Sequence, residues 1–334
     1  MTVSTFPALR LRRLRQHPIL RDLIRETQVN INDLILPLFI KGTDGEKKPI
    51  GPMPGQYQIP LNRLAEEIEE ITDLGISSVL LFGIPSHKDS CGSDSYDEHG
   101  IVQSAIRKIR ETSSDLLIIS DVCFCEYTDH GHCGFLTETT GRIDVDNDKT
   151  LELLVKQAIS HAEAGAHVIA PSGMIDGMIS TIREGLDSSG FSHIPLLSYS
   201  AKYNSSLYGP FRAAAEGAPS FGDRSTHMMD IANGHEAIRE VQLDIVEGAD
   251  MLMVKPAHSY LDIIYRIKQA YPHIPLGAYH TSGEYAMIKA AAEKGWINEK
   301  NVVMEILTGI RRAGADFIIT YYAKEFAKWD KGYS

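Results

Sequence analysis

The chain predicts a (β/α)8 barrel, the TIM-barrel architecture, with an extended N-terminal arm ahead of it. Three observations carry this: eight short apolar runs recur along the sequence, stretches of helical periodicity lie between them, and glycines mark several helix-to-strand joints. The chain has 334 residues, 43% hydrophobic and 23% charged, which is ordinary globular composition. That length holds one large α/β domain of the usual barrel size, roughly 250 residues, plus the arm.

Residues 1–30 are polar and arginine-rich with scattered leucines, so they are expected to form an arm that packs on a partner subunit or frays. Residues 31–334 are expected to form the barrel domain. The apolar runs fall at 34–40, 78–84, 116–124, 167–172, 195–200, 251–256, 275–280 and 317–323. Most are apolar nearly throughout, as strands buried on both faces of a helix-covered parallel sheet are. Between them, Leu61, Leu64, Ile68 and Ile71, and later Leu151, Leu154, Val155 and Ile159, recur at the spacing of an amphipathic helix. Gly75, Gly165, Gly248 and Gly314 stand where a helix ends in left-handed backbone just before an apolar run. A doubly wound open sheet is the alternative architecture, but no glycine-rich dinucleotide fingerprint follows the first strand.

The net charge of -11 argues against a nucleic-acid surface, and the one basic cluster, Arg10, Arg12, Arg13 and Arg15, is short. No apolar run approaches the roughly 18 residues of a membrane span, and the first thirty residues lack a signal-peptide core. A soluble, cytoplasmic protein with no membrane partner is expected. Three of the four cysteines fall within eleven positions, which suggests metal ligation or reactive thiols and not a secreted disulfide framework.

In a parallel barrel the chemistry sits at the C-terminal strand ends. There the sequence places Asp121 and Cys123, then Ser172, Lys202, Lys255, Ser282 and Tyr321. Lys255 closes the run Met-Leu-Met-Val-Lys, and an apolar surround disfavours its ammonium form and frees the amine as a nucleophile. Taken alone, the plainer reading is a strand-end lysine that reaches solvent. Lys202 ends the neighbouring strand region, and adjacent strands lie about 4.8 Å apart, so the two amines can converge and lower each other's pKa. The pair points to imine chemistry on a carbonyl substrate.

Cys123, Cys125 and Cys133 follow a C-x-C-x7-C spacing, with Gly131 and Gly134 to turn the chain back. Three thiolates leave one tetrahedral position of zinc open, as in catalytic sites. His130 and His132 are extra ligands or pocket residues, buried free thiols are the alternative, and Cys91 is expected to be inert. The strandless stretch from Lys202 to Met251 reads as a lid, with Arg212 and Arg224 suited to holding a carboxylate. A class I aldolase would need neither the second lysine nor the thiols. A zinc hydrolase would want a His-x-His that 34–40 lacks, and a zinc-stabilised scaffold would leave the lysines unexplained.

The stretches Ser120–Cys133, Ser198–Lys202, Tyr208-Gly-Pro-Phe211-Arg212, Met253-Val-Lys-Pro256 and Ser282–Met287 resemble the porphobilinogen synthase, or δ-aminolevulinic acid dehydratase, family in its zinc-dependent, cysteine-rich form. The likeness runs from about Arg12 to Lys324. It implies a hydro-lyase that condenses two 5-aminolevulinate molecules to porphobilinogen with loss of two waters, in tetrapyrrole and heme biosynthesis. It further implies imines on Lys255, for the propionate-side substrate, and on Lys202, for the acetate side. By the same resemblance Cys123, Cys125 and Cys133 hold catalytic zinc, Ser282 and Tyr321 hold one substrate carboxylate, and Arg212 and Arg224 hold the other. Tyr208 and Phe211 complete the substrate-binding set, while Asp121 and Ser172 stand near the lysines, Asp121 as a proton-transfer partner. Glu240 matches an allosteric magnesium ligand of some members or is a solvated helical glutamate. The family assembles as octamers built of dimers with the arms wrapped around neighbours. One departure is Met228, where the family commonly has glutamine. Methionine cannot donate to a carboxylate, which leaves weaker acetate-side binding or a donor role for His227.

Overall fold

A computed structural model describes residues 5–139 and 141–332. Eight parallel strands form the barrel: β1 (Leu34–Lys41), β2 (Ser78–Ile84), β3 (Leu117–Val122), β4 (Val168–Pro171), β5 (Leu197–Lys202), β6 (Met251–Lys255), β7 (Leu276–His280) and β8 (Phe317–Thr320). Hydrogen-bonded neighbours run β4-β3-β2-β1-β8-β7-β6-β5. The circle closes where the Ile169 N–H donates to the Pro195 carbonyl at 3.1 Å and Ile169 bridges Leu196 in parallel. The expected barrel is thus the observed one, and all eight apolar runs supply its strands.

The strands form because their side chains have apolar partners on both sides. Leu36, Leu38, Ile40, Leu80, Ile119, Leu252 and Ile318 are all nearly or fully buried between the barrel interior and the helical coat. Helices end as the sequence anticipates; Gly248, with φ of 103°, closes Glu236–Glu247 in left-handed backbone and turns the chain into β6.

Two predicted runs overshoot. The run 116–124 leaves the sheet after Val122, so Cys123 and Phe124 begin a loop, and 317–323 ends at Thr320, so Tyr321 lies just past β8. The stretch between Lys202 and Met251 is strandless but not structureless. It holds a short helix, Gly209–Ala214, and then the barrel helix Glu236–Glu247, so the lid is 203–235. A two-stranded hairpin, Leu136–Thr139 with Arg142–Val145, flanks the cysteine loop.

In the arm, two short helical turns, Leu11–Arg15 and Pro18–Leu23, contribute no buried residue, and Phe6, Leu11, Ile19 and Leu23 are exposed. Residues 1–4 of the arm, and 333–334, lie outside the described residues. Among the described residues no helix is long and apolar enough to cross a membrane.

Candidate active site

Strand register brings the two lysines together. Lys255 on β6 is the Cα partner of Lys202 on β5, and the pairing slips by one residue between Leu252 and Val254. The extra residue lies on β5. Without it Lys255 would face Ala201, so the bulge is what sets lysine against lysine.

Both side chains are buried. The Lys255 ammonium position is caged by rings, 4.2 Å from the centre of Tyr279, 5.0 Å from Phe211, 5.2 Å from Tyr199 and 5.3 Å from Tyr208. Burial pushes its pKa down to about 7, the Lys202 charge adds to that, and Asp121 and Glu126 oppose it. Lys202 donates to the Ser172 carbonyl. Ser172 Oγ donates to Asp121 Oδ2 at 3.0 Å. Burial pushes the Asp121 carboxyl up to about 7, Glu126 adds to the effect, and the two lysines counter it. A neutralisable amine beside a carboxyl that can hold a proton near pH 7 is the pairing that carbinolamine formation and dehydration require.

Above the lysines the cysteine loop folds back, so that the three thiols of Cys123, Cys125 and Cys133 lie within 4.8 Å of one another, all buried. The turn depends on Gly131, at φ of 70°, where a Cβ would meet the Ala218 carbonyl oxygen at 2.3 Å. At Cys133 a hydrogen bond from Cys123 lowers the thiol pKa, but the bond with Cys125 and burial outweigh it and push it up to about 11. Three buried thiols this close become thiolates together only around a cation, so the donor set suits a thiophilic metal. Both histidines are tied to the backbone: His130 Nε2 pairs with the Ser90 carbonyl at 3.2 Å and its Nδ1 accepts from the His132 N–H at 3.1 Å, while His132 Nε2 pairs with the Phe221 carbonyl at 3.0 Å and its Nδ1 is buried with no partner among the described residues.

The lid rests on this loop. Arg224 Nη2 donates to the Gly131 carbonyl at 2.8 Å and to the Gly217 carbonyl at 2.7 Å, and the Ser220 N–H donates to the His130 carbonyl at 3.0 Å. Burial alone would lower the Arg224 pKa, but the sulfur atoms of Cys133, Cys125 and Cys123 outweigh it and raise it. With the lid down, the cavity over the lysines is about 20 Å³, lined by Asp121, Cys125, Ser172, Lys202, Arg224 and Lys255 among others. That is room for about one water, less than a substrate needs.

The sequence matches the family described as delta-aminolevulinic acid dehydratase over residues 8–329. The chain belongs to that family. Delta-aminolevulinic acid dehydratase of Synechocystis is 53% identical over 326 residues, covering 97% of this chain and 99% of the relative. The enzyme of Staphylococcus epidermidis is 54% identical over 320 residues, covering 96% and 98%. The crystal structure of the Toxoplasma gondii enzyme, porphobilinogen synthase in complex with its reaction product porphobilinogen, superposes with a TM-score of 0.93. It is 44% identical and covers 96% of this chain and 91% of that one. The protein is accordingly an enzyme, a hydro-lyase of tetrapyrrole synthesis.

Within this dehydratase the expected site residues divide. Lys202, Lys255, Asp121, Ser172, Cys125, Tyr208, Phe211 and Arg224 share the cavity. Ser282 touches the segment 203–235, its hydroxyl accepting from the Phe211 N–H at 2.9 Å. The Tyr321 hydroxyl is 3.0 Å from that of Tyr279, behind Lys255. Arg212 is half-buried next to Arg224; burial and then the Arg224 charge lower its pKa. Met228 forms part of the cavity wall, whereas His227 lines a neighbouring cavity with Asp176, Glu236 and Glu240. Burial pushes His227 down to about 3, so it is a neutral ring, with Nε2 buried and without a partner among the described residues. In that second cavity burial pushes Glu240 up to about 6, and Asp244, Asp176 and Glu236 add to the effect.

The sequence reading missed Glu126, Phe82, Tyr199 and Tyr279. Glu126 lies inside the cysteine motif, beside Cys125, and its position there was the available signal. The tyrosines sit within apolar strand runs and carry no local mark of a site.

Proposed function

We propose that this enzyme condenses two 5-aminolevulinate molecules to porphobilinogen, releasing two waters, through imines on Lys255 and Lys202 and with zinc on Cys123, Cys125 and Cys133. The observation that carries the reading is the register pairing of Lys255 with Lys202 in an aromatic cage that leaves the Lys255 amine half neutral near pH 7. Ordinary lysine would be almost entirely ammonium at that pH and too weak a nucleophile for a ketone.

Lys255 attacks the ketone of the propionate-side substrate and Lys202 that of the acetate side. In each case the C–N bond forms, the carbonyl oxygen takes up protons and leaves as water, and Asp121, within reach of Ser172 and the lysines, is the nearby proton carrier. Cys123, Cys125 and Cys133 would hold the zinc, which would supply Lewis acidity beside the acetate-side substrate. Arg212 and Arg224 take the acetate-side carboxylate, and Ser282 with Tyr321 the propionate-side one. Ser282 Oγ accepts from the Phe211 N–H and donates to the Leu207 carbonyl at 3.4 Å, so donating to a carboxylate there exchanges the Leu207 bond for a substrate bond and couples binding to the position of the lid. Tyr208 and Phe211 exclude water from the imines, whose hydrolysis would otherwise reverse the chemistry.

The reading extends to the assembly. Residues 1–30 form an arm around residues 31–334 of neighbouring subunits in a cytoplasmic homo-octamer, consistent with the exposed Phe6, Leu11, Ile19 and Leu23. Glu240, with Asp176 and Glu236, is the proposed allosteric magnesium position. Borohydride reduction with 5-aminolevulinate, followed by peptide mass mapping, tests the imines. Adducts on Lys255 and Lys202 support the reading, and adducts on neither defeat it.

A further inference from the structure

Glu126 is a buried acid that the chemistry above leaves without a task. It follows Cys125 directly, it is 2% exposed, and it lines the cavity together with Lys202, Lys255, Asp121 and Arg224. Its Oε2 is buried with no hydrogen-bond partner among the described residues. A carboxylate oxygen in that position carries a desolvation cost unless something fills its valence. The obvious neighbours do not. Arg224 spends Nη2 on the Gly131 and Gly217 carbonyls, and Lys202 donates to the Ser172 carbonyl.

A 5-aminolevulinate molecule brings three polar groups: a ketone, a carboxylate and an ammonium. The lysines answer the ketone and the arginines, Ser282 and Tyr321 answer the carboxylates, which leaves the ammonium without a recognised partner. We propose that Glu126 is a specificity residue whose free carboxylate oxygen accepts a hydrogen bond from the amino group of a bound substrate. The inference deepens the reading of the reaction and rests on it. It adds that the cavity selects 4-oxo acids bearing an amine at carbon 5 over the same chain without it. A site built to hydrogen-bond a polar group rejects the analogue lacking that group, because its own buried acceptor is then left unpaired.

The test compares two ligands on zinc-loaded enzyme: 5-aminolevulinate and levulinate, which keeps the ketone and carboxylate but has no amine. The concentration giving half-maximal borohydride capture is measured for each on the unmodified protein and on Glu126→Gln. The proposal expects the 5-aminolevulinate value to rise at least tenfold in the variant while the levulinate value moves less than twofold, with zinc stoichiometry unchanged. Glu126→Asp, which keeps the charge on a shorter arm, retains part of the preference and serves should Glu126→Gln not fold. Equal weakening for both ligands, or no change for either, overturns the proposal while leaving the imine reading standing. Capture of neither ligand by the unmodified protein overturns the imine reading and the proposal with it.

Discussion

Replacing Lys202 with methionine removes a like charge from beside Lys255 while keeping the bulk of the side chain, and it raises the pH at which the Lys255 amine loses its proton. The two ammonium positions lie 5.8 Å and 5.2 Å from the centre of the Tyr199 ring, so they are within about 11 Å of each other. At a separation of about 8 Å and an effective dielectric of about 20, their repulsion is roughly 2 kcal/mol. At about 1.4 kcal/mol per pH unit this moves the midpoint by about 1.5, from about 7 to roughly 8.5. At pH 7 the neutral fraction of Lys255 then falls from about half to about 3%, and capture slows about fifteenfold. The assay is the initial rate of levulinate imine formation at Lys255, quenched with borohydride across pH 5.5 to 10 and read by mass mapping. A midpoint that stays near 7 in Lys202→Met, or one near that of free lysine in the unmodified protein, would refute the electrostatic argument.

Other perturbations follow from the same geometry. Lys255 binds fewer protons folded than unfolded between pH about 7 and 10.5, so its burial costs stability most at and below pH 7, with the cost fading as pH rises towards 10.5. Lys255→Met should therefore abolish capture at that position yet raise thermal stability at pH 7 by up to about 5 kcal/mol, with little gain at pH 10.5; melting curves at both pH values check this. Cys125→Ser should lower zinc affinity at least a hundredfold by metal titration while far-ultraviolet circular dichroism stays unchanged, because the thiols lie on a loop beyond β3 and not in the barrel core. Gly131→Ala places a methyl 2.3 Å from the Ala218 carbonyl oxygen and must part the cysteine loop from the lid. Faster proteolysis within 203–235 and at least tenfold weaker zinc binding are expected, and an unchanged digestion pattern would contradict the contact.

Much of the fold was legible because a parallel barrel writes itself into sequence locally: each strand is a short apolar run, and glycine marks several of the helix stops ahead of them, although Ser113 and Tyr271 end two others. The lysines and cysteines were legible for a similar reason, since a lysine ending an apolar strand and three cysteines in eleven positions are unusual chemistry in plain view. What stayed hidden depends on register and on contacts between distant segments. The β5 bulge that sets Lys202 opposite Lys255 is one inserted residue in a pairing, invisible in either strand alone. Tyr199 and Tyr279 look like core residues until the barrel closes around Lys255. The strand ends at Val122 and Thr320 were overrun because Cys123, Phe124, Tyr321 and Tyr322 are apolar enough to prolong a strand pattern after the backbone has turned away. Arg224 was expected to face a carboxylate, yet its Nη2 clasps two backbone carbonyls, a contact set by where residues 131 and 217 meet.

The central claim, that two neighbouring lysines each hold one substrate as an imine, is tested most directly by borohydride quenching during turnover of 5-aminolevulinate on zinc-loaded enzyme, with peptide mapping of the reduced adducts. The account predicts reduced adducts at Lys255 and at Lys202, with the Lys202 adduct lost when the metal is chelated. Adducts at neither lysine, in a preparation that still forms porphobilinogen, would contradict it.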